Sequence, residues 1–433
     1  MKFLFVHQNF PGQYLHVLRR LAALRRHEIL FVSEPNDNFL EGVRKISYRL
    51  HRLPSPDTHF DAREFEQAMI RAEAVALACK TFRDLGFVPD IIIGHHGWGE
   101  LLNLRDLWPD VPMLGYFEFF YHTEGLDVDF DPEFPTDRKQ LPSIRAKNAV
   151  NLLALSLDAH GQTPTQFQRE TYPEWARRQI TVLPEGADLQ ACRPDPACRD
   201  RMFVLGDVQV APTEKLVTYV ARGLEPYRGF HVLMRALPRL LRERTDARVI
   251  IVGSDEVSYG ARPREGTWRE RMTAELQGQY DESRVHLVGR VMYPDYLRLL
   301  QRSDAHVYLT YPFVASWSLR EALAIGCAII ASDTDPVREF VTDGRTGLLV
   351  RFPDPDGLAE AVLRLLADAP LSRRLRAAAR RYAERHLPMA HHIAAYEDLI
   401  RDLTGRSSGL KEEGEGALPP QPPPKAMPLE TIP

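Results

Sequence analysis

What most constrains this chain is a rhythm. Apolar runs of about four to six residues, each followed by a turn and then a helical pattern, recur along most of its length. Runs this short, with no polar alternation, read as strands buried on both faces, as parallel sheets require. The first series falls at residues 3–6, 28–32, 90–93, 112–116, 150–155 and 180–183, with helices such as 62–85 and 165–172 between. The second falls at 216–221, 248–252, 285–288, 305–309, 328–331 and 348–350, with helices through 230–242, 268–279, 295–301, 317–324 and 356–366. Strand–helix alternation run twice predicts an α/β chain of two Rossmann-like, doubly wound domains. Their expected bounds are 1–205 and 213–385, with 184–212 as the connection. A closing helix is expected over 386–404, set off by Pro388. Residues 405–433 hold seven Pro and four Gly and are expected to be a disordered tail.

Charge narrows the partners. The 55 basic and 59 acidic residues of the 433 leave a net charge of -4, which argues against a nucleic-acid-coating surface. All but eight of the basic residues are arginine, a bias read mostly as compositional drift. The four cysteines, at 79, 192, 198 and 327, form no CxxC pair, as expected for a reducing, cytoplasmic setting. The apolar stretch at the N-terminus is too short for a signal peptide, and no run approaches the length of a spanning helix. Arg19, Arg20, Arg25 and Arg26 are expected on one helix. They form a solvated face or a peripheral contact with the inner, anionic face of a membrane.

Parallel sheets bind ligands at the carboxyl ends of their strands, so the segments just after strands carry the argument. No GxGxxG follows the first strand, no GxxxxGK[ST] occurs, and no HExxH appears. His95 and His96 are adjacent, so on one strand they point to opposite faces; no metal and no cofactor is expected. After 216–221 comes Arg222-Gly223-Leu224-Glu225-Pro226-Tyr227-Arg228-Gly229, then a helix. Two arginines flanking a turn at a helix N-terminus suit a diphosphate. After 305–309 comes Tyr311-Pro312-Phe313-Val314-Ala315-Ser316-Trp317-Ser318, then a helix whose first turn is expected to hold Glu321.

The run Ser318-Leu319-Arg320-Glu321-Ala322-Leu323-Ala324-Ile325-Gly326-Cys327-Ala328-Ile329-Ile330 resembles the signature of the retaining glycosyltransferase family 4. Val182-Leu183-Pro184-Glu185-Gly186-Ala187-Asp188, the Arg222–Gly229 segment, Val285-His286-Leu287-Val288-Gly289-Arg290-Val291 and Asp343-Gly344-Arg345-Thr346-Gly347 match in the family's order. The resemblance implies a GT-B fold, two Rossmann-like domains facing across a cleft. It implies transfer of a hexose from a UDP- or GDP-type nucleotide-sugar to a glycan, lipid or small-molecule acceptor, as in polysaccharide biosynthesis, without a metal. On it, Arg222 and Arg228 neutralise the leaving diphosphate and Glu321 holds the ribose. Val291 lines the base, Ser316, Trp317 and Ser318 face the diphosphate and sugar, and Gly12 allows a close approach.

Three positions depart from the family. Phe313 stands where the first of its paired glutamates falls, Arg228 where its phosphate lysine falls, and Glu118 near its first-domain histidine, with His122 four residues on. Glu118 is a candidate sugar contact, nucleophile or base, and His95 a candidate strand-end catalytic residue. A non-catalytic GT-B binding protein and a UDP-sugar epimerase on the same fold are the alternative readings.

Overall fold

The computed structural model describes residues 1–157 and 159–411, which divide into two compact units. Among the described residues, the first comprises Met1–Glu185 and 390–411; the second comprises Gly186–Met389. The boundary therefore falls earlier than the expected 205, for a local reason. Ala187 donates to the Leu387 carbonyl at 2.7 Å and accepts from the Met389 amide at 3.2 Å, which sews this segment into the second unit.

The first unit is built on seven parallel strands. They are β1 (Lys2–Val6), β2 (Glu28–Ser33), β3 (Arg44–Ser47), β4 (Ile91–His95), β5 (Met113–Tyr116), β6 (His160–Thr163) and β7 (Ile180–Val182), in the order 3-2-1-4-5-6-7. Leu4, Val6, Leu30, Val32 and Ile92 pack into the apolar layer on one face. Phe117, Val150, Ala154 and Tyr172 pack with Ile180 on the other. Burial on both faces is what removed the polar alternation from the sequence.

One expected strand is a helix. Residues 150–155 end the helix Leu141–Leu155, and a short apolar run carries no periodicity to tell the two apart. Asn148 and Asn151, three apart and buried, bond the loop after β5: Asn148 accepts from the Tyr121 amide at 2.8 Å, and Asn151 donates to the Phe119 carbonyl at 3.0 Å. The true strands β3 and β6 were missed because Arg44, Lys45, His160 and Gln162 break the apolar pattern.

The four-arginine helix is also corrected. The helix Leu15–Ala23 stops before Arg25, whose φ of 50° turns the chain away, and Arg20 donates Nε to the Leu410 carbonyl at 3.1 Å. The start of the expected tail is likewise fixed. Glu397 accepts from the Ser408 amide at 3.0 Å and the Leu410 amide at 2.9 Å, Arg406 pairs with Asp90, and Ser408 and Leu410 are buried. Residues 412–433 of that tail lie outside the described residues. The helix Met389–Thr404 packs with the first unit, where the Tyr396 hydroxyl accepts from Gln162 at 2.5 Å.

The second unit carries a small hairpin, β8 (Phe203–Leu205) with β9 (Val208–Val210), and a six-stranded parallel sheet. The sheet strands are β10 (Lys215–Gly223), β11 (Ala247–Ser254), β12 (Val285–Gly289), β13 (Ala305–Tyr308), β14 (Ile329–Ser332) and β15 (Leu348–Val350), in the order 12-11-10-13-14-15. All six match the expected runs. No helix among the described residues is long and apolar enough to cross a membrane.

Candidate functional site

Each sheet reverses its winding once, between β1 and β4 in the first unit and between β10 and β13 in the second. At such a reversal the loops after the two central strands leave toward opposite faces and open a crevice at their carboxyl ends. The polar groups in those four loops and in the neighbouring loops after β5 and β11 are the candidate site, taken unit by unit.

In the second unit, Arg222 is the penultimate residue of β10 and is half-buried. Its carbonyl accepts the Ser254 hydroxyl at 3.0 Å, while its guanidinium has no partner among the described residues. Glu225 is fully buried and accepts from the backbone amides of Ser258 at 3.1 Å, Tyr259 at 3.2 Å and Gly260 at 2.8 Å. Burial holds its carboxyl above the usual range, and those amides pull it back. The β10 and β11 loops are thereby tied together. Gly229, at φ +71°, lets the β10 loop pass close to β13; a Cβ there would lie 2.5 Å from Leu309 Cβ.

Arg228 is buried between these loops. Its Nη1 donates to Thr310 Oγ1 at 2.7 Å and to the Val314 carbonyl at 3.0 Å, and its guanidinium lies over the Tyr259 ring at 5.0 Å. Nε and Nη2 have no hydrogen-bond partner among the described residues. A buried, oriented fork held by neutral groups is a receptor for an anion.

Phe313, at the position of the family's glutamate, is buried against Tyr227 and Tyr259, with ring centroids at 5.4 and 5.0 Å. Ser316 caps the helix Trp317–Ile325; its amide donates to the Tyr308 hydroxyl at 2.8 Å, and its hydroxyl lies 2.6 Å from that of Ser318. Trp317 is half-buried beside them. Glu321 is the fifth residue of that helix, hence in its second turn and not its first, as 3.6 residues per turn dictates. Its Oε1 accepts from the Tyr293 hydroxyl at 2.7 Å and its Oε2 from that of Tyr296 at 2.8 Å. Burial raises its carboxyl pKa, and the two phenols oppose the rise. Val291 follows β12 and packs on the core.

In the first unit, Gly12 at φ +55° follows β1, and a Cβ there would meet the His7 ring at 2.9 Å. His95 ends β4. It is buried, stacked on Trp98 at 4.1 Å and on Tyr116 at 5.1 Å, with the His7 ring edge-on at 5.6 Å. Its Nδ1 accepts from the Gly97 amide at 2.8 Å, and its Nε2 lies 3.9 Å from Glu118 Oε2. Burial, then the neighbouring His7 and His96, hold His95 well below the usual range, so it is neutral. Glu118 is partly exposed. His122 is bonded to the Thr171 carbonyl at 2.7 Å and takes no part in this group.

The structure thus places Arg222 at the end of β10 and Arg228 in the turn that follows it, and Gly12, His95 and Glu118 at one sheet end. Sequence reasoning missed Glu225, Thr310, Tyr259, Tyr293, Tyr296, His7 and Trp98. Only Glu225 carried a local signal, an acid between the two arginines of one post-strand segment; the others are joined to the site by loop packing.

The family model described as Glycosyl transferase family 4 group matches residues 25–192, and that described as Glycosyl transferases group 1 matches 206–382. A phosphatidyl-myo-inositol mannosyltransferase from Mycolicibacterium smegmatis is 32% identical over 161 residues, 36% of this chain and 37% of that one. The match therefore spans under two fifths of that relative's length. Among solved structures, sucrose-phosphate synthase from Thermosynechococcus elongatus superposes at TM-score 0.69 and 18% identity, over 94% of this chain and 99% of that one. Anabaena HepE in complex with UDP-glucose superposes at TM-score 0.63 and 16% identity, over 92% and 99%. The fold is GT-B.

Proposed function

The chain belongs to family 4 of the group 1 glycosyltransferases, and from that premise we propose that it is a retaining hexosyltransferase using a UDP- or GDP-type sugar donor. The observation that carries this is the two arginines of the segment that closes β10: Arg228, held by Thr310 and Val314, and Arg222, whose guanidinium has no partner among the described residues. In the transfer, the anomeric carbon exchanges its diphosphate oxygen for an acceptor hydroxyl oxygen, and negative charge grows on the departing diphosphate. Arg228, fixed beforehand by Thr310 and Val314, stabilises that charge without reorganising, and Arg222 adds a second cation. HepE, bound to UDP-glucose, has this fold and supports a nucleotide-sugar donor.

Glu321 accepts hydrogen bonds from the ribose in this reading, exchanging one of its phenol partners for a sugar hydroxyl. Val291 lines the base, and Ser316, Trp317 and Ser318 face the diphosphate and sugar. Gly12 leaves room for phosphate or acceptor. Glu118 and the Nε2–H of His95 serve the reacting sugar or the acceptor hydroxyl. The acceptor is a glycan, a lipid or a small molecule; the mannosyltransferase relative, named for an inositol lipid, supports the lipid class.

Isothermal titration with UDP, GDP and ADP tests the donor site. One nucleotide should bind in the micromolar-to-millimolar range and weaken on Arg222→Ala and on Arg228→Ala. No binding of any of the three would reject the reading. A second reading, a GT-B protein that binds a nucleotide without catalysis, is favoured by Phe313 in the aromatic cluster in place of a carboxylate. Sugar-nucleotide turnover above background, lost in Glu321→Ala, excludes it.

A further inference from the structure

The second unit has a cavity of about 360 Å³ lined by Arg199, Arg373, Arg376 and Arg380, with Asp195 and Gln301 at its wall. It lies where the helices Tyr293–Arg302 and Trp317–Ile325 end, ahead of β13 and β14, and so at the sheet edge opposite Arg222 and Arg228. Three of its arginines bind backbone. Arg376 Nη2 donates to the Ser303 carbonyl at 2.6 Å and the Asp304 carbonyl at 2.9 Å. Arg380 Nη1 donates to the Ala324 carbonyl at 2.6 Å, and Arg199 Nη2 to the Ser303 carbonyl at 3.2 Å. Helix-end carbonyls orient these groups and carry only a fraction of a charge.

The full negative charges nearby are already engaged. Asp304 is held by buried Arg302 at 2.7 Å, Asp195 by Arg201 at 3.2 Å, and Glu384 by Arg380 at 2.8 Å. Arg199 Nη1 and the whole Arg373 guanidinium have no partner among the described residues. Burial and the adjacent Arg199 push Arg376 down to about 10. The cavity thus gathers more cations than its own carboxylates balance, with Arg199 and Arg373 among its lining residues, and it has room for a phosphate with bridging water.

We propose that this cavity is a second, non-donor site that binds a phosphate-bearing anion, free or as a lipid headgroup. Titrating the full chain with inorganic pyrophosphate, and sedimenting it with vesicles of phosphatidic acid in phosphatidylcholine, distinguishes the two sources. Arg373→Ala removes an exposed side chain from the helix Ala369–His386 and favours helix, so folding is not at stake. It should weaken pyrophosphate or vesicle binding by about threefold or more, the scale of a single exposed charge contact. Arg199→Gln should weaken it further, and Arg222→Ala should leave this component unchanged. Pyrophosphate binding that vanishes in Arg222→Ala and is untouched by Arg373→Ala, with no vesicle binding above the neutral-lipid control, overturns the proposal.

Discussion

Gly97 donates its backbone N–H to Nδ1 of His95 at 2.8 Å, and that bond decides where the imidazole proton sits. A neutral ring whose Nδ1 accepts must carry its proton on Nε2, the atom 3.9 Å from Glu118 Oε2. Burial keeps the ring from charging. His95 is therefore a neutral donor aimed at the sheet end, and not a base. Nitrogen-15 spectra should show a protonated Nε2 and an unprotonated Nδ1, unchanged from pH 8 to pH 5; a second protonation in that window would refute the assignment. In an active preparation, His95→Ala should reduce kcat with little change in nucleotide affinity.

Arg228 stands where the family has lysine, yet lysine should not replace it here. Thr310 Oγ1 and the Val314 carbonyl share one arm of the fork, and the Tyr259 ring supports its face. A single ammonium cannot keep both bonds and still present two further donors. Charge-assisted hydrogen bonds of this kind are worth about 1.5–3 kcal/mol, so Arg228→Lys should weaken UDP or GDP binding by about tenfold and Arg228→Ala by about a hundredfold. Equal affinities of Arg228→Lys and the unaltered protein in calorimetry would show that charge alone is used.

Restoring the family glutamate at Phe313 should cost stability. Phe313 is buried between Tyr227 and Tyr259, and the nearby cation, Arg228, is already committed to Thr310 and Val314. Phe313→Glu buries a carboxylate in an aromatic cluster, at about 2–4 kcal/mol. Phe313→Leu should lose about half as much, through packing alone. Thermal melts of the two variants separate the terms; a Phe313→Glu protein as stable as Phe313→Leu would mean the site accommodates the charge.

The fold was legible wherever burial on both faces wrote itself as unbroken apolar runs. β1, β2, β4 and β5 of the first unit and β10, β11, β14 and β15 of the second largely have that form, while β12 and β13 each carry one histidine (His286, His306) and β7 one exposed threonine (Thr181) among apolar neighbours that still mark them. It was illegible where polar residues enter a strand, as in His160–Thr163, or where apolar residues finish a helix, as at 150–155. The site followed the same division. Arg222 and Arg228 stand on one continuous turn and can be read in order. Thr310 and Tyr259 reach Arg228 only because Glu225 ties down the β11 loop and Gly229 admits the β13 loop. Tyr293 and Tyr296 meet Glu321 from another helix, 28 and 25 residues earlier. Pairings of that kind belong to the packed sheet and leave no spacing to detect.

Glu100 sets the last expectation, a pH dependence of stability in the first unit. It follows β4, is fully buried, and accepts the Tyr48 hydroxyl on Oε1 at 3.1 Å; its Oε2 has no hydrogen-bond partner among the described residues. Burial raises its carboxyl from 4.5 to about 7. The folded chain therefore holds this proton more tightly than the unfolded one. Its contribution to stability is complete below pH 4.5 and is lost as pH rises through about 7. At about 1.4 kcal/mol per pKa unit, the loss by pH 8 is on the order of 3 kcal/mol. His7, pushed down to about 4 by burial, acts in the opposite sense, adding stability that is lost as pH falls from 6.5. Glu100→Gln keeps the side chain's shape and cannot ionise, so it isolates the first effect. The variant should be more stable than the unaltered protein at pH 8 and close to it at pH 5, by denaturant unfolding at each pH. A variant destabilised equally at both would place Glu100 in a charged network and reverse the argument.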